Sequence, residues 1–163
     1  MALRQLAPAS AAARRGASLL TWVGSLLVAG SGVLHFFLWL NYGYSKIPTI
    51  GPLFLMQAVV AVLVAAAAIG TRHWLVVLGE AGFVISTALG LVLSINIGLF
   101  GWQETLDGPW VWLALLIEFL AGALLAASGV LLGWPVVAAL KRGRANQSSS
   151  QQPGPGVASR VHV

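Results

Sequence analysis

The sequence predicts an all-α protein, a four-helix transmembrane bundle with both termini cytoplasmic. Three observations carry this reading. Of 163 residues, 58% are hydrophobic and 8% charged, against roughly 45–50% and about 25% in soluble domains, and mean hydropathy is +0.88. Nine basic and four acidic side chains are too few to coat a soluble domain of this size. Four apolar runs approach the roughly 20 residues that a helix needs to cross about 30 Å of hydrocarbon. Finally, the basic residues gather on one side of those runs. Alternating polarity, the mark of a membrane barrel strand, is absent, and helices satisfy their own backbone hydrogen bonds in lipid.

In chain order, residues 1–16 form a basic cytoplasmic segment containing Arg4, Arg14 and Arg15, and run one covers 17–40. An Arg-Arg pair before an apolar run suggests an export signal, but this run exceeds the 7–15 residues of a signal core, so it is expected to stay as a span. Run two covers 53–70 and run three 74–100, with only a tight turn between them, so they form an antiparallel hairpin. Run four covers 110–134, and the transmembrane domain as a whole 17–140. Residues 141–163 are basic and then rich in Ser, Gln, Pro and Gly, which predicts a disordered tail in which His162 has no partner.

Eight of the nine basic residues (Arg4, Arg14, Arg15, Arg72, Lys141, Arg142, Arg144 and Arg160) fall on one side of the runs. The positive-inside rule makes that side cytoplasmic and puts the connections 41–52 and 101–109, with Lys46, Glu104 and Asp107, outside. Six tryptophans, Trp39, Trp74, Trp102, Trp110, Trp112 and Trp134, sit near run ends, where headgroups favour them. The net charge of +5 follows from this asymmetry and calls for no nucleic acid. The expected location is the cell membrane, as a multi-pass protein of an inner membrane. Expected partners are the bilayer, other membrane subunits or a second copy.

Run three carries small residues every fourth position: Gly82, Ser86, Gly90, Ser94 and Gly98. Such a stripe allows close helix approach in lipid. Run four repeats it with Ala114, Glu118, Gly122 and Ala126, run two with Gln57, Ala61 and Ala65, and run one offers Gly24, Ser31 and His35. Packing is the expected role, against a sister helix, a second copy or another protein.

Ionisable residues at membrane depth are costly and mark candidate sites. His35, Gln57 and Glu118 all fall in the outer half, two of them on the small-residue faces, and form a candidate polar pocket. It could move protons, bind a cation or hold a polar headgroup, or it could only fix helix register. Asn96 lies off the Ser94/Gly98 side and is left out. Glu80, near His73 and Arg72, is expected to snorkel or pair at the cytoplasmic surface. The outer connection with Tyr42, Tyr44, Pro48 and Pro52 is stiff and apolar, a candidate lid or partner loop, with Pro52 placed to start helix two at its first position.

One intramembrane histidine is too few for a two-histidine haem site, and one His with one Glu too few for a closed metal site. The chain has no cysteine, hence no CxxC redox pair. No Ser-His-Asp set, phosphate loop or HExxH is present. No cofactor and no enzymatic activity are expected. The leading expectation is a protein acting by association: an accessory, assembly or stabilising subunit, or a homo-oligomer. The alternatives are a proton-linked carrier using His35 and Glu118, and a lipid- or quinone-binding protein.

The segment His35-x-x-Leu38-Trp39, Tyr44 and Ile47-Pro-Thr-Ile-Gly-Pro-Leu-Phe54 resembles small four-span integral membrane proteins of actinobacteria. The likeness covers run one through run two, and the four-helix plan is similar to that of DoxX-like proteins. It implies a fold and no activity.

Overall fold

The computed structural model describes residues 11–150, with side chains through Arg144. Arg4, the tail from 151 and its Arg160 and His162 lie outside the described residues. The chain forms four helices, α1 (Ala11–Asn41), α2 (Ile50–Thr71), α3 (Trp74–Ile97) and α4 (Pro109–Ser150), with a 3-10 turn at Tyr44–Lys46. All four are long and apolar enough to cross a membrane. Leu19 and Val33 of α1, Leu63 of α2, Ile97 of α3 and Leu116 of α4 are 63–75% exposed. Water would drive such a surface to aggregate, whereas lipid tails are as apolar as leucine.

The helices alternate in direction. One end, here the basic end, gathers the start of α1, the α2–α3 turn and the later part of α4. The other, the loop end, carries residues 42–49 and 98–108. α1 packs against α2 and α4, and α4 against α3, while α2 and α3 make a lighter contact and α1 and α3 barely meet. The core is small: Val28, Ala61, Ala68, Val77, Ala81, Val84, Ala121 and Leu125. α1 and α4 keep one antiparallel register, with Thr21 against Ser128, Gly24 against Leu125 and Ser31 against Glu118. A Cβ on Gly32 would stand 2.9 Å from Ala61 Cβ and 3.0 Å from Ala58 O, so glycine here is what lets α1 meet α2.

Close approach of α3 and α4 is provided by α4: Gly122 faces Ile85, Gly129 faces Leu78 and Gly133 faces Trp74. The α3 stripe does not do this. Gly82 and Ser86 are exposed, and a Cβ on Gly82 or Gly90 would meet nothing within 4 Å. The buried face of α3 is instead Val77, Glu80, Ala81, Val84 and Ala88, joined from the stripe by Ser94 alone. One small-residue face suffices at a helix contact, and Gly122, expected to pack, belongs to it; Gly82, Ser86 and Gly90 do not pack on a sister helix.

The element ends differ from expectation in four places. α1 starts at Ala11, not at 17, so Arg14 and Arg15 lie within the helix. α3 stops at Ile97, not Phe100, because Gly98 takes φ +77 and the chain reverses through Phe100 and Gly101, also at positive φ. α2 starts at Ile50, so Pro52 is its third residue and not its first. Thr49 at φ 69 makes the earlier start, and a first-turn amide has no helical partner to lose. α4 runs unbroken past Pro135 to Ser150, so residues 141–150 are helical where a disordered tail was expected. Lys, Arg, Ala and Gln there are good helix formers.

Candidate functional site

The loop-end half of the bundle encloses a cavity of about 290 Å³ bordered by all four helices. It exists because α2 and α3, joined by a tight turn at the basic end, make little contact above it. Ser86, Gly90 and Ser94 form its α3 wall. Their small side chains leave space that a larger residue would fill. The cavity also borders Met56 of α2, itself 56% exposed, and exposed Ser86, so it reaches the surface at the α2–α3 seam.

His35 and Gln57 border this cavity, as the sequence suggests they should. Glu118 lies behind His35, 1% exposed. Ser31 Oγ donates to Glu118 Oε1 at 2.9 Å. His35 Nδ1 is 2.9 Å from Ser31 O; a carbonyl only accepts, so Nδ1 carries the proton. Nε2 then faces Glu118 Oε1 at 3.9 Å. A single proton shared by the imidazole and the carboxyl leaves the pair neutral in sum, the arrangement least costly in a low dielectric. Of the three buried side-chain atoms without a hydrogen bond among the described residues, two lie here, Gln57 Nε2 and Glu118 Oε2, and the third is Glu80 Oε1. Unpaired buried polar atoms of this kind are expensive and call for an explanation. Asn96 is exposed, its amide turned back to Val92 O at 2.7 Å, and takes no part.

Aromatic rings roof the cavity. Tyr44 stacks on Phe54 with centroids 4.4 Å apart, and Phe54 lies 4.9 Å from the His35 ring. Tyr44 OH donates to Glu104 Oε2 at 2.7 Å. Burial first, then the Glu104 carboxylate, pushes the phenol above its ordinary value of 10, so it stays a donor at neutral pH. With the phenol raised, the bond's contribution is constant from neutral pH to about 10 and is lost only in stronger alkali. Gly51 lets this roof close, since a Cβ there would sit 2.9 Å from Tyr44 O. Of the expected lid residues only Tyr44 borders the cavity; Tyr42 packs on Phe37 and Trp110, and Pro48 and Pro52 are exposed.

Glu104 and Trp102 also border the cavity, though the sequence assigns them only to a connection. The reversal at Gly98 brings them back. Leu99 and Trp102 exchange backbone hydrogen bonds of 2.7 and 2.9 Å, and Glu104 N donates to Ser94 O at 3.3 Å. Gln103 Nε2 donates to Ile95 O at 3.0 Å. The loop thus satisfies Ile95 O, whose helical donor is lost at the chain reversal, and adds a second donor to Ser94 O, which Gly98 N already reaches at 3.2 Å. No local pattern announces this, because the partners form only after the chain turns.

Glu80 is a correction. It is buried, 1% exposed, and takes a hydrogen bond from Ser25 Oγ at 2.8 Å instead of snorkelling toward Arg72. His73 caps α3, its Nδ1 accepting from Leu75 N. Depth along α3 alone misleads here, since the partner belongs to α1. A crevice of about 510 Å³ opens at the basic end, bordered by Arg14, Thr21, Arg72, His73 and Trp74.

Chemically, the loop-end cavity offers aromatic and aliphatic walls with a few hydrogen-bonding groups, the usual make-up of a small-molecule site. Among the described residues no three His, Cys, Asp or Glu side chains gather to hold a metal ion. Comparisons with protein families, curated proteins and solved structures find no match for this chain.

Proposed function

We propose that this chain is a cell-membrane protein, its basic end in the cytoplasm, that binds a small amphiphile of the lipid or quinone class in the loop-end cavity and has no catalysis of its own. The observation that carries the reading is the cavity's build. It has apolar and aromatic walls, a few polar groups (His35, Gln57, Tyr44 and Glu104, with the hydroxyls of Ser86, Thr87 and Ser94 on the α3 wall), and a side opening at the α2–α3 seam. A molecule dissolved in the bilayer would enter there without crossing water. The volume of about 290 Å³ is at the lower limit of ligand pockets, so a ring or headgroup fits and its chain would trail into lipid. Titrating a short-chain quinone and, separately, a lysophospholipid into the detergent-solubilised chain tests it. A ligand at 100 times its Kd stabilises by about 2.7 kcal/mol, so one probe should raise the melting temperature in proportion to log concentration. No response to either probe removes the reading.

Association as an accessory, assembly or stabilising subunit, or as a homo-oligomer, is a second reading. Gly79, Gly82 and Ser86 lie exposed on one α3 face, with open space above both glycines. Gly82→Leu should then abolish oligomers or partner co-purification, and unchanged association would count against it.

A further inference from the structure

One face of α1 carries Thr21, Ser25, Val28, Ser31 and His35, and four of these five meet polar groups on other helices or on α1 itself. At the basic end, Thr21 borders the crevice and shares a 2.8 Å hydrogen bond with Ser128, which donates in turn to Ala17 O at 2.8 Å. One turn further, Ser25 holds Glu80. Beyond Val28, Ser31 holds Glu118. His35 follows, 3.9 Å from Glu118, and borders the loop-end cavity. A polar file therefore runs from a crevice at one end of the bundle to a cavity at the other. Both carboxyls use one oxygen for a serine of α1 and keep the other, Glu80 Oε1 and Glu118 Oε2, buried without a close hydrogen bond among the described residues; the hydroxyl of Thr87, which borders the cavity, also interacts with Glu118.

We propose that this file is a proton path across the membrane, with Glu80 and Glu118 as two stations in series. The inference goes beyond amphiphile binding and does not depend on it. A register role is served by the two Ser–Glu hydrogen bonds alone. It leaves unexplained why each carboxyl keeps an oxygen without a close hydrogen bond, and why the file reaches a crevice at one end and a cavity at the other. The transfers balance without another reactant. A crevice water loses a proton to the Glu80 carboxylate; the proton passes through transient water to the His35–Glu118 pair, which then holds two, one on Glu118 and one on His35 Nε2. His35 releases it to the cavity, which restores each group. Ser25, Ser31 and Thr21 donate along the way and take no net proton. Among the described residues, the titratable side chains on this file are Glu80, Glu118 and His35, with Arg14, Arg72 and His73 at the crevice and Tyr44 and Glu104 at the cavity. The fully buried layer of Val28, Val84, Ala121 and Leu125 offers no polar side chain to replace the hydration shell of a metal ion.

That layer makes Val28 the gap. The two serines are six residues apart, roughly 9 Å by helical rise, and Val28, fully buried, sits between them. Val28→Ser would complete the file.

The test reconstitutes the full chain into phosphatidylcholine–phosphatidylglycerol vesicles holding a pH-sensitive dye. A potassium gradient with valinomycin drives proton entry. Proton flux should exceed that of protein-free vesicles several-fold and be indifferent to sodium. Glu80→Gln and Glu118→Gln each keep a serine acceptor and should lower flux to the protein-free level. Val28→Ser should raise flux above the parent and needs neither glutamine variant to fold. Full flux in either glutamine variant, or no flux in both the parent and Val28→Ser, overturns the path.

Discussion

Ser31 serves two side chains through three contacts: its hydroxyl donates to Glu118 at 2.9 Å and lies 3.4 Å from His35 Nδ1, while its carbonyl accepts from His35 Nδ1. It is fully buried, so no water replaces it. Ser31→Ala leaves a second oxygen of Glu118 unpaired and should cost about 1–3 kcal/mol, read as a lower melting temperature in detergent. An unchanged melting temperature would mean that the hydroxyl is not holding the carboxyl. At this scale the sequence is partly legible. Glu118 and Gln57 share faces with small residues, which mark the interior in lipid, and His35 follows from depth. Glu80 is misjudged because its partner, Ser25, lies on another helix, and spacing within one helix says nothing of that.

Among the elements, the contacts divide between glycines that are needed and glycines that are free. Gly32→Leu must push α1 off α2, since even the Cβ would be 2.9 Å from Ala61; overpacking of this kind costs about 1–3 kcal/mol. Gly82→Leu meets open space and should leave the monomer as stable as before. Unfolding the two variants side by side in mixed micelles checks the contrast, and equal loss in both would contradict the packing described here. Four apolar runs of spanning length make the four helices legible from sequence. The direction in which the α3 stripe points is not, because a repeat of every fourth residue defines a face without naming its neighbour. Glu104 and Trp102 escape for a related reason: their place over the cavity depends on the reversal after Gly98.

For the whole molecule, the absence of cysteine lets single introduced cysteines report topology. Lys46→Cys and Asp107→Cys should react with an impermeant maleimide from outside intact cells, and Arg144→Cys only after lysis. The reverse pattern would invert the proposed orientation. The central claim concerns the cavity, and Gly90 offers the cleanest way to close it: the residue borders the space and a Cβ there meets nothing within 4 Å. Gly90→Phe should therefore fill the cavity while the fold stays intact. Native mass spectrometry of the gently extracted chain is the most direct measurement. The account predicts a retained amphiphile on the parent protein and none on a folded Gly90→Phe variant. A parent protein that carries no bound molecule, or a variant that keeps it, would contradict the account.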